Sequence, residues 1–236
     1  MTENKASPLG LAIIGGVVGS VLTAAILIFA APQFMSGRIV RQGMLNDPQI
    51  LVDAADALRD RQYAPALASQ RGSIETPFAS SWKGSSKPKV VLVEFYDYAC
   101  PYCKASNPHV DQLLRENPDL RVVYRELPIL GPDSVVSARL SLAASKAGRF
   151  RQFHDALYAA GRPAPGTNAV AARVAAIPPA PEKDVAIEAE LKKNFNLASQ
   201  LGATGTPLFV VGDRVLSGAV GYETLKKAVE DARKKA

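Results

Sequence analysis

Cys100 and Cys103 are the only cysteines in a chain of 236 residues, spaced as Cys-Pro-Tyr-Cys. Proline suits the first turn of a helix, where its missing N–H would be unpaired anyway, so Cys100 is expected at a helix N-terminus. Free amides and the partial positive charge there favour thiolate over thiol. Cys103 falls on the same helix face one turn later, within reach of a mixed disulfide formed by Cys100. The pair reads as a dithiol redox centre, with Cys100 as exposed nucleophile and Cys103 as resolving thiol. Two plainer readings explain less. A disulfide closing so short a loop constrains the unfolded chain little. A structural zinc site takes four Cys or His ligands, and His109 and His154 are the only histidines, so no metal and no organic cofactor is expected. Cu(I) handling through the two thiolates stays open as a function of another class, since soft ligands suit that ion.

The elements that must hold the pair follow from the pattern around it. Residues 90–96, VVLVEFY, form a short apolar run rich in β-branched and aromatic residues, as expected of a strand buried on both faces. Glu94 is its odd member. By alternation it shares a face with Val90, Leu92 and Tyr96, where an isolated carboxylate is costly and its pKa rises. It is expected to tune the dithiol and relay protons for Cys103, although a Glu reaching solvent at a strand end is the alternative. A helix from the cysteines to about Arg115 ends at Asn117-Pro118-Asp119, and Leu120–Arg125 is a second strand. Strand, helix, strand implies parallel pairing through a helical crossover. From about 126 to 203 the pattern is helical, punctuated by Gly148, Gly161 and PPAP at 178–181. Thr206-Pro207 enters another strand, Gly212-Asp213 signals a hairpin, and a last helix begins near Tyr222. His154 is read as a packing residue and His109 as solvent-facing, with Asp97 and Tyr98 as rim residues.

The amino-terminal part has a different character. Residues 9–31 carry no charge, and that length spans a bilayer core. It exceeds the usual apolar stretch of a signal peptide, so an uncleaved membrane anchor is expected, with cleavage and a soluble product as the alternative. Residues 1–8 then form a cytoplasmic tail. Residues 32–75 are expected to be an amphipathic helical stalk: Asp47-Pro48 starts a helix on which Leu51, Ala54, Ala55 and Leu58 recur. That stripe fits either packing on its own domain or self-association. Ser69–Lys89 reads as a flexible lead into the domain at 76–236. The formal charge of +6 is spread over short basic pairs such as Lys192/Lys193, without the basic stripe that nucleic-acid binding needs.

Three runs, VVLVEFYDYACPYC at 90–103, RFRQFHDALY at 149–158 and LGATGTPLFVVGDRVLSGAVGYETLKK at 201–227, resemble the DsbA family of thiol-disulfide oxidoreductases, in its ScsC- and Com1-like branch. The resemblance covers roughly residues 75–236. It implies an α/β thioredoxin fold with a helical insertion, preceded here by the transmembrane helix and the amphipathic segment. It makes Pro207 a cis-proline facing the cysteines, with the Thr206 backbone offered to an unfolded substrate. Pro101, Tyr102, Thr206 and Pro207 become the substrate-binding residues. The implied setting is a bacterial inner membrane with the catalytic domain in the periplasm. Implied partners are cysteine-containing proteins, an ScsB-like or DsbB-like membrane redox protein, and further copies of the chain, trimeric in some ScsC proteins.

Overall fold

The computed structural model describes residues 31–179 and 184–235. They divide between Ala57 and Leu58, inside one helix, into two compact units. The apolar run at 9–31 and the tail at 1–8 lie outside the described residues except for Ala31. Among the described residues no helix is long and apolar enough to cross a membrane.

The first unit holds helix α1 (Ala31–Asn46) and the start of α2 (Gln49–Glu75). Asp47 begins α2 as expected: its Oδ1 accepts from the Gln49 N–H at 3.1 Å. Ile50, Leu51 and Val52 are each about half exposed on this stretch.

The second unit is built on a five-stranded sheet in the order β1-β3-β2-β4-β5, from β1 (Trp82–Gly84), β2 (Val90–Tyr96), β3 (Leu120–Glu126), β4 (Leu208–Val211) and β5 (Arg214–Ser217). Only β2 and β3 run parallel, and helix α3 (Pro101–Glu116) is their crossover. The inserted helices are α4 (Pro132–Lys146), α5 (Phe150–Ala160), α6 (Pro165–Val174) and α7 (Val185–Gln200); α8 (Tyr222–Lys235) closes the unit. Alternation along the strands feeds two cores. Leu92, Tyr96, Val122 and Tyr124 pack with Val110 of α3, Phe153 of α5 and Val229 of α8 on one face. Val93, Phe95, Val123 and Val210 pack with Leu67 of α2 and Leu197 of α7 on the other.

One boundary differs from the sequence reading. Ser69–Lys89 was expected as a flexible lead, yet α2 continues to Glu75 and its second half belongs to the sheet unit. Burial of Leu67 and Ile74 beneath the sheet holds it there, and the Arg125 side chain clasps its end. That guanidinium, 1% exposed, donates to the carbonyls of Ser73, Ile74 and Thr76 and to Glu190 and Asn194 of α7. Polar residues that look like a linker in isolation are thereby fixed by tertiary contacts.

Candidate active site

The end of β2 delivers the cysteines. All seven of its residues pair with β3 on one side, and Leu92–Phe95 pair with β4 on the other, so the strand is central. The Cys100 N–H donates to the Asp97 carbonyl at 3.0 Å, closing a turn, and Cys100 becomes the N-cap of α3 with Pro101 at the first helical position. Both cysteines are free thiols. Cys103 lies one turn inside, fully buried. Cys100 was expected to be exposed, but it is only 4% exposed. The reason is Thr206, whose carbonyl accepts from the Cys100 thiol at 3.2 Å and covers it. The Thr206-Pro207 peptide bond is cis. Thr206 is half-buried and Pro207 buried, whereas Pro101 and Tyr102 stand on the surface, Tyr102 64% exposed.

Beneath the dithiol lies Glu94, 1% exposed, opposite Tyr124 of β3 and Phe209 of β4. Neither carboxylate oxygen has a hydrogen-bond partner among the described residues. Burial pushes its pKa up to about 8, with Lys83 pulling it down in part and Asp111 adding to the rise. Burial also raises the Cys103 thiol far above its ordinary value, and the Glu94 charge adds to that. An ionised Glu94 would therefore hold the Cys103 thiol in its protonated form all the more firmly.

Around this acid the structure assembles residues that the sequence reading placed elsewhere or missed. Asp97 and Tyr98 were expected at the rim, but they are 1% and 4% exposed. The Tyr98 hydroxyl lies 2.9 Å from the Ser141 hydroxyl and 3.1 Å from that of Tyr96, whose single proton goes to the buried Glu126. Apolar surroundings and these polar partners draw both tyrosines inward. His154 sits in the same cluster, its ring within 6 Å of Tyr96, Tyr98, Tyr124, Phe150 and Tyr158. Burial lowers its pKa to about 4, so the ring is neutral at physiological pH. Lys83 of β1 reaches over the Tyr124 ring and binds Asp155 at 2.6 Å. No local pattern flags Lys83. For Asp97, an acid opening the turn between a buried strand and the cysteines was the available signal. His109 is half-buried. Among the described residues no group of three or more His, Cys, Asp or Glu could hold a metal ion.

A central strand feeding a Cys-Pro-Tyr-Cys helix N-terminus, a buried thiol over a buried acid, and a carbonyl beside the outer thiol form a site able to exchange disulfides. Comparison with known proteins agrees. The family model described as a DSBA-like thioredoxin domain matches residues 91–230. Proteus mirabilis ScsC in a transitional conformation is similar at 29% identity and a TM-score of 0.67, covering 88% of this chain and 97% of that one. A periplasmic thioredoxin-like protein from Salmonella enterica serovar Typhimurium is similar at 29% identity, with a TM-score of 0.64 and coverage of 70% and 95%. A thioredoxin-like oxidoreductase from Silicibacter pomeroyi DSS-3 reaches 35% identity, with a TM-score of 0.59 and coverage of 70% and 99%. Among curated proteins, a Na(+)/H(+) antiporter NhaA 1 of Salinispora arenicola is 37% identical over 79 residues, which are 33% of this chain. The chain spans about 12% of the length of that relative.

Proposed function

This chain belongs to the DSBA-like thioredoxin domain family of thiol-disulfide oxidoreductases, and on that premise we propose that it exchanges disulfides with cysteine-containing proteins in the periplasm while tethered to the inner membrane. The observation that carries this reading is the asymmetry of the pair: Cys100 caps a helix under the Thr206 carbonyl, whereas Cys103 is fully buried above Glu94. In the oxidising direction a substrate thiolate attacks the Cys100 sulfur of the Cys100–Cys103 disulfide. The S–S bond breaks, Cys103 leaves as thiolate, and it takes a proton from the Glu94 carboxyl. A second substrate thiolate then attacks the mixed disulfide and releases Cys100, so the substrate loses two electrons and the enzyme gains them. Reduction and reshuffling run the same bonds in reverse, beginning with Cys100 attack. A Glu94 pKa of about 8 suits a group that must both hold and release this proton near neutrality.

The Thr206 backbone and the exposed Pro101-Tyr102 edge are the surfaces for the substrate chain, which pairs with the Thr206 backbone as an added strand would. Disulfide chemistry is most useful where disulfides persist, which supports a catalytic domain outside the cytoplasm and an ScsB-like or DsbB-like membrane protein as its electron partner. The half-exposed Ile50, Leu51 and Val52 support self-association through residues 38–70, with a trimer as the state suggested by some ScsC proteins. Several dithiols held together would favour reshuffling of a wrong disulfide over simple oxidation, so we read the chain as an isomerase before an oxidase.

The deciding experiment is Cys103→Ser expressed in a bacterium. Mixed disulfides between Cys100 and cellular proteins, resolved by reducing agent on gels, are the expected result. A variant that traps nothing and only loses Cu(I) affinity would refute this reading in favour of copper handling.

A further inference from the structure

Asp97 joins two segments that are far apart in sequence. Its Oδ1 accepts from the Ala99 N–H at 2.8 Å, and its backbone carbonyl accepts from Cys100. Its Oδ2 accepts from the N–H groups of Ile129 and Leu130, both at 2.9 Å. The Leu127 N–H donates to the Tyr96 carbonyl at 2.8 Å and ties the same two segments again. The loop after β3 is thus fixed to the turn that carries Cys100, through a carboxylate that is itself buried. A buried charge is costly unless it is hydrogen-bonded, and here three N–H donors satisfy it. What it holds in place is unusual for a loop: the Ile129 and Leu130 side chains are 42% and 47% exposed. Their backbone is locked to the turn that carries Cys100, and their apolar side chains face water.

We infer that Asp97 is a positioning residue for the substrate chain, fixing Ile129 and Leu130 against the reactive turn so that they receive an apolar side chain next to the substrate's reacting cysteine. This inference rests on the thiol-disulfide reading of the site. Its chemistry follows from the substrates. Cysteine is among the most buried residues of folded proteins, so a chain that presents one is unfolded and presents the apolar neighbours of that cysteine as well. A pair of branched aliphatic side chains held at fixed distance from the nucleophile recognises that feature and ignores folded surfaces. Orientation of this kind acts through binding of the polypeptide and leaves the sulfur chemistry to the cysteines.

The test uses the full-length protein in its disulfide form and follows its reduction by three thiols. Two are cysteine peptides, one flanked by Leu and one by Ser, and the third is dithiothreitol, which has no side chain to dock. Wild type is expected to react about tenfold faster with the Leu peptide than with the Ser peptide below saturation, with the difference in KM. Ile129→Ser together with Leu130→Ser should bring that ratio close to one. Asp97→Ala should do the same, and Asp97→Asn should give an intermediate ratio because its amide oxygen still accepts hydrogen bonds. Survival of the Leu preference in the Ile129/Leu130 double variant overturns the inference. So does an Asp97→Ala or Asp97→Asn protein that slows all three thiols by one common factor. Should Asp97→Ala fail to fold, the double variant decides docking and Asp97→Asn decides positioning. A wild type that reacts with all three thiols but shows no Leu preference removes this inference alone; one that reacts with none removes the redox reading, and the inference with it.

Discussion

Replacing Glu94 by Gln should stabilise the reduced protein, by an amount that depends on pH. In the fold this carboxyl is buried without a hydrogen-bond partner among the described residues and holds its proton up to about pH 8, against an ordinary value of 4.5. The raised folded pKa means that native stability is fully present below pH 4.5 and is lost as pH climbs toward 8, because over that window only the unfolded chain is ionised. Each pH unit in the window costs about 1.4 kcal/mol. The accumulated cost is on the order of 1 kcal/mol at pH 5, about 3 at pH 7 and about 5 above pH 8, where both states are charged and the loss levels off. Gln has nearly the same shape and cannot ionise, so it escapes this cost. Urea unfolding of both proteins at pH 5, 7 and 9, with thiols kept reduced, measures the difference directly. The gap should widen by about 2 kcal/mol between pH 5 and 7. Two stability profiles that run parallel across this range would refute the argument and place the carboxylate in contact with solvent. In the same variant, resolution of a mixed disulfide through Cys103 should slow on the order of 10²-fold, the usual worth of a positioned acid or base.

Iodoacetamide should modify Cys100 well before Cys103, since the latter is fully buried; mass spectrometry after limited reaction reads the order, and equal labelling would contradict the buried position. Arg125→Ala should cost about 3–5 kcal/mol by urea unfolding, because Glu190 and the carbonyls at the end of α2 lose their shared partner. Arg125→Lys should recover little of this, as an ammonium cannot reproduce the planar fork. Proteins starting at Gly37 and at Leu58 should differ in light scattering, the longer associating and the shorter remaining monomeric; two monomers would leave the exposed stripe without a self-association role. A protein starting at Ser73 is a poorer control, since it also strips Leu67 from the sheet unit.

Much of the site is local and so was readable in the chain. The VVLVEFY run specifies a central strand, Pro101 fixes where its helix begins, and Thr206-Pro207 marks the neighbouring strand entrance. Glu94 could be placed inward because a strand alternates with period two. What escaped depends on partners distant in sequence. Asp97 looks like a rim residue until Ile129 and Leu130, more than thirty positions later, bond its carboxylate. Residues 69–75 read as linker because Ser, Gln, Arg and Gly have no helical periodicity of their own. Their helix is imposed from outside by the buried Ile74 and by Arg125. Lys83 belongs to a three-residue strand too short to carry any pattern.

The insertion of four helices between the cysteines and Thr206 sets an order of events during synthesis. Cys100 and the carbonyl that covers it are 106 residues apart in sequence. At about 5–20 residues per second, roughly 5 to 20 s pass between the appearance of the dithiol and the arrival of the strand that shelters it. During that interval β2 lacks its β4 neighbour, Glu94 faces water on that side, and both thiols meet whatever thiols or disulfides are nearby. Each newborn molecule thus carries its reactive pair in the open before the fold that governs it is complete.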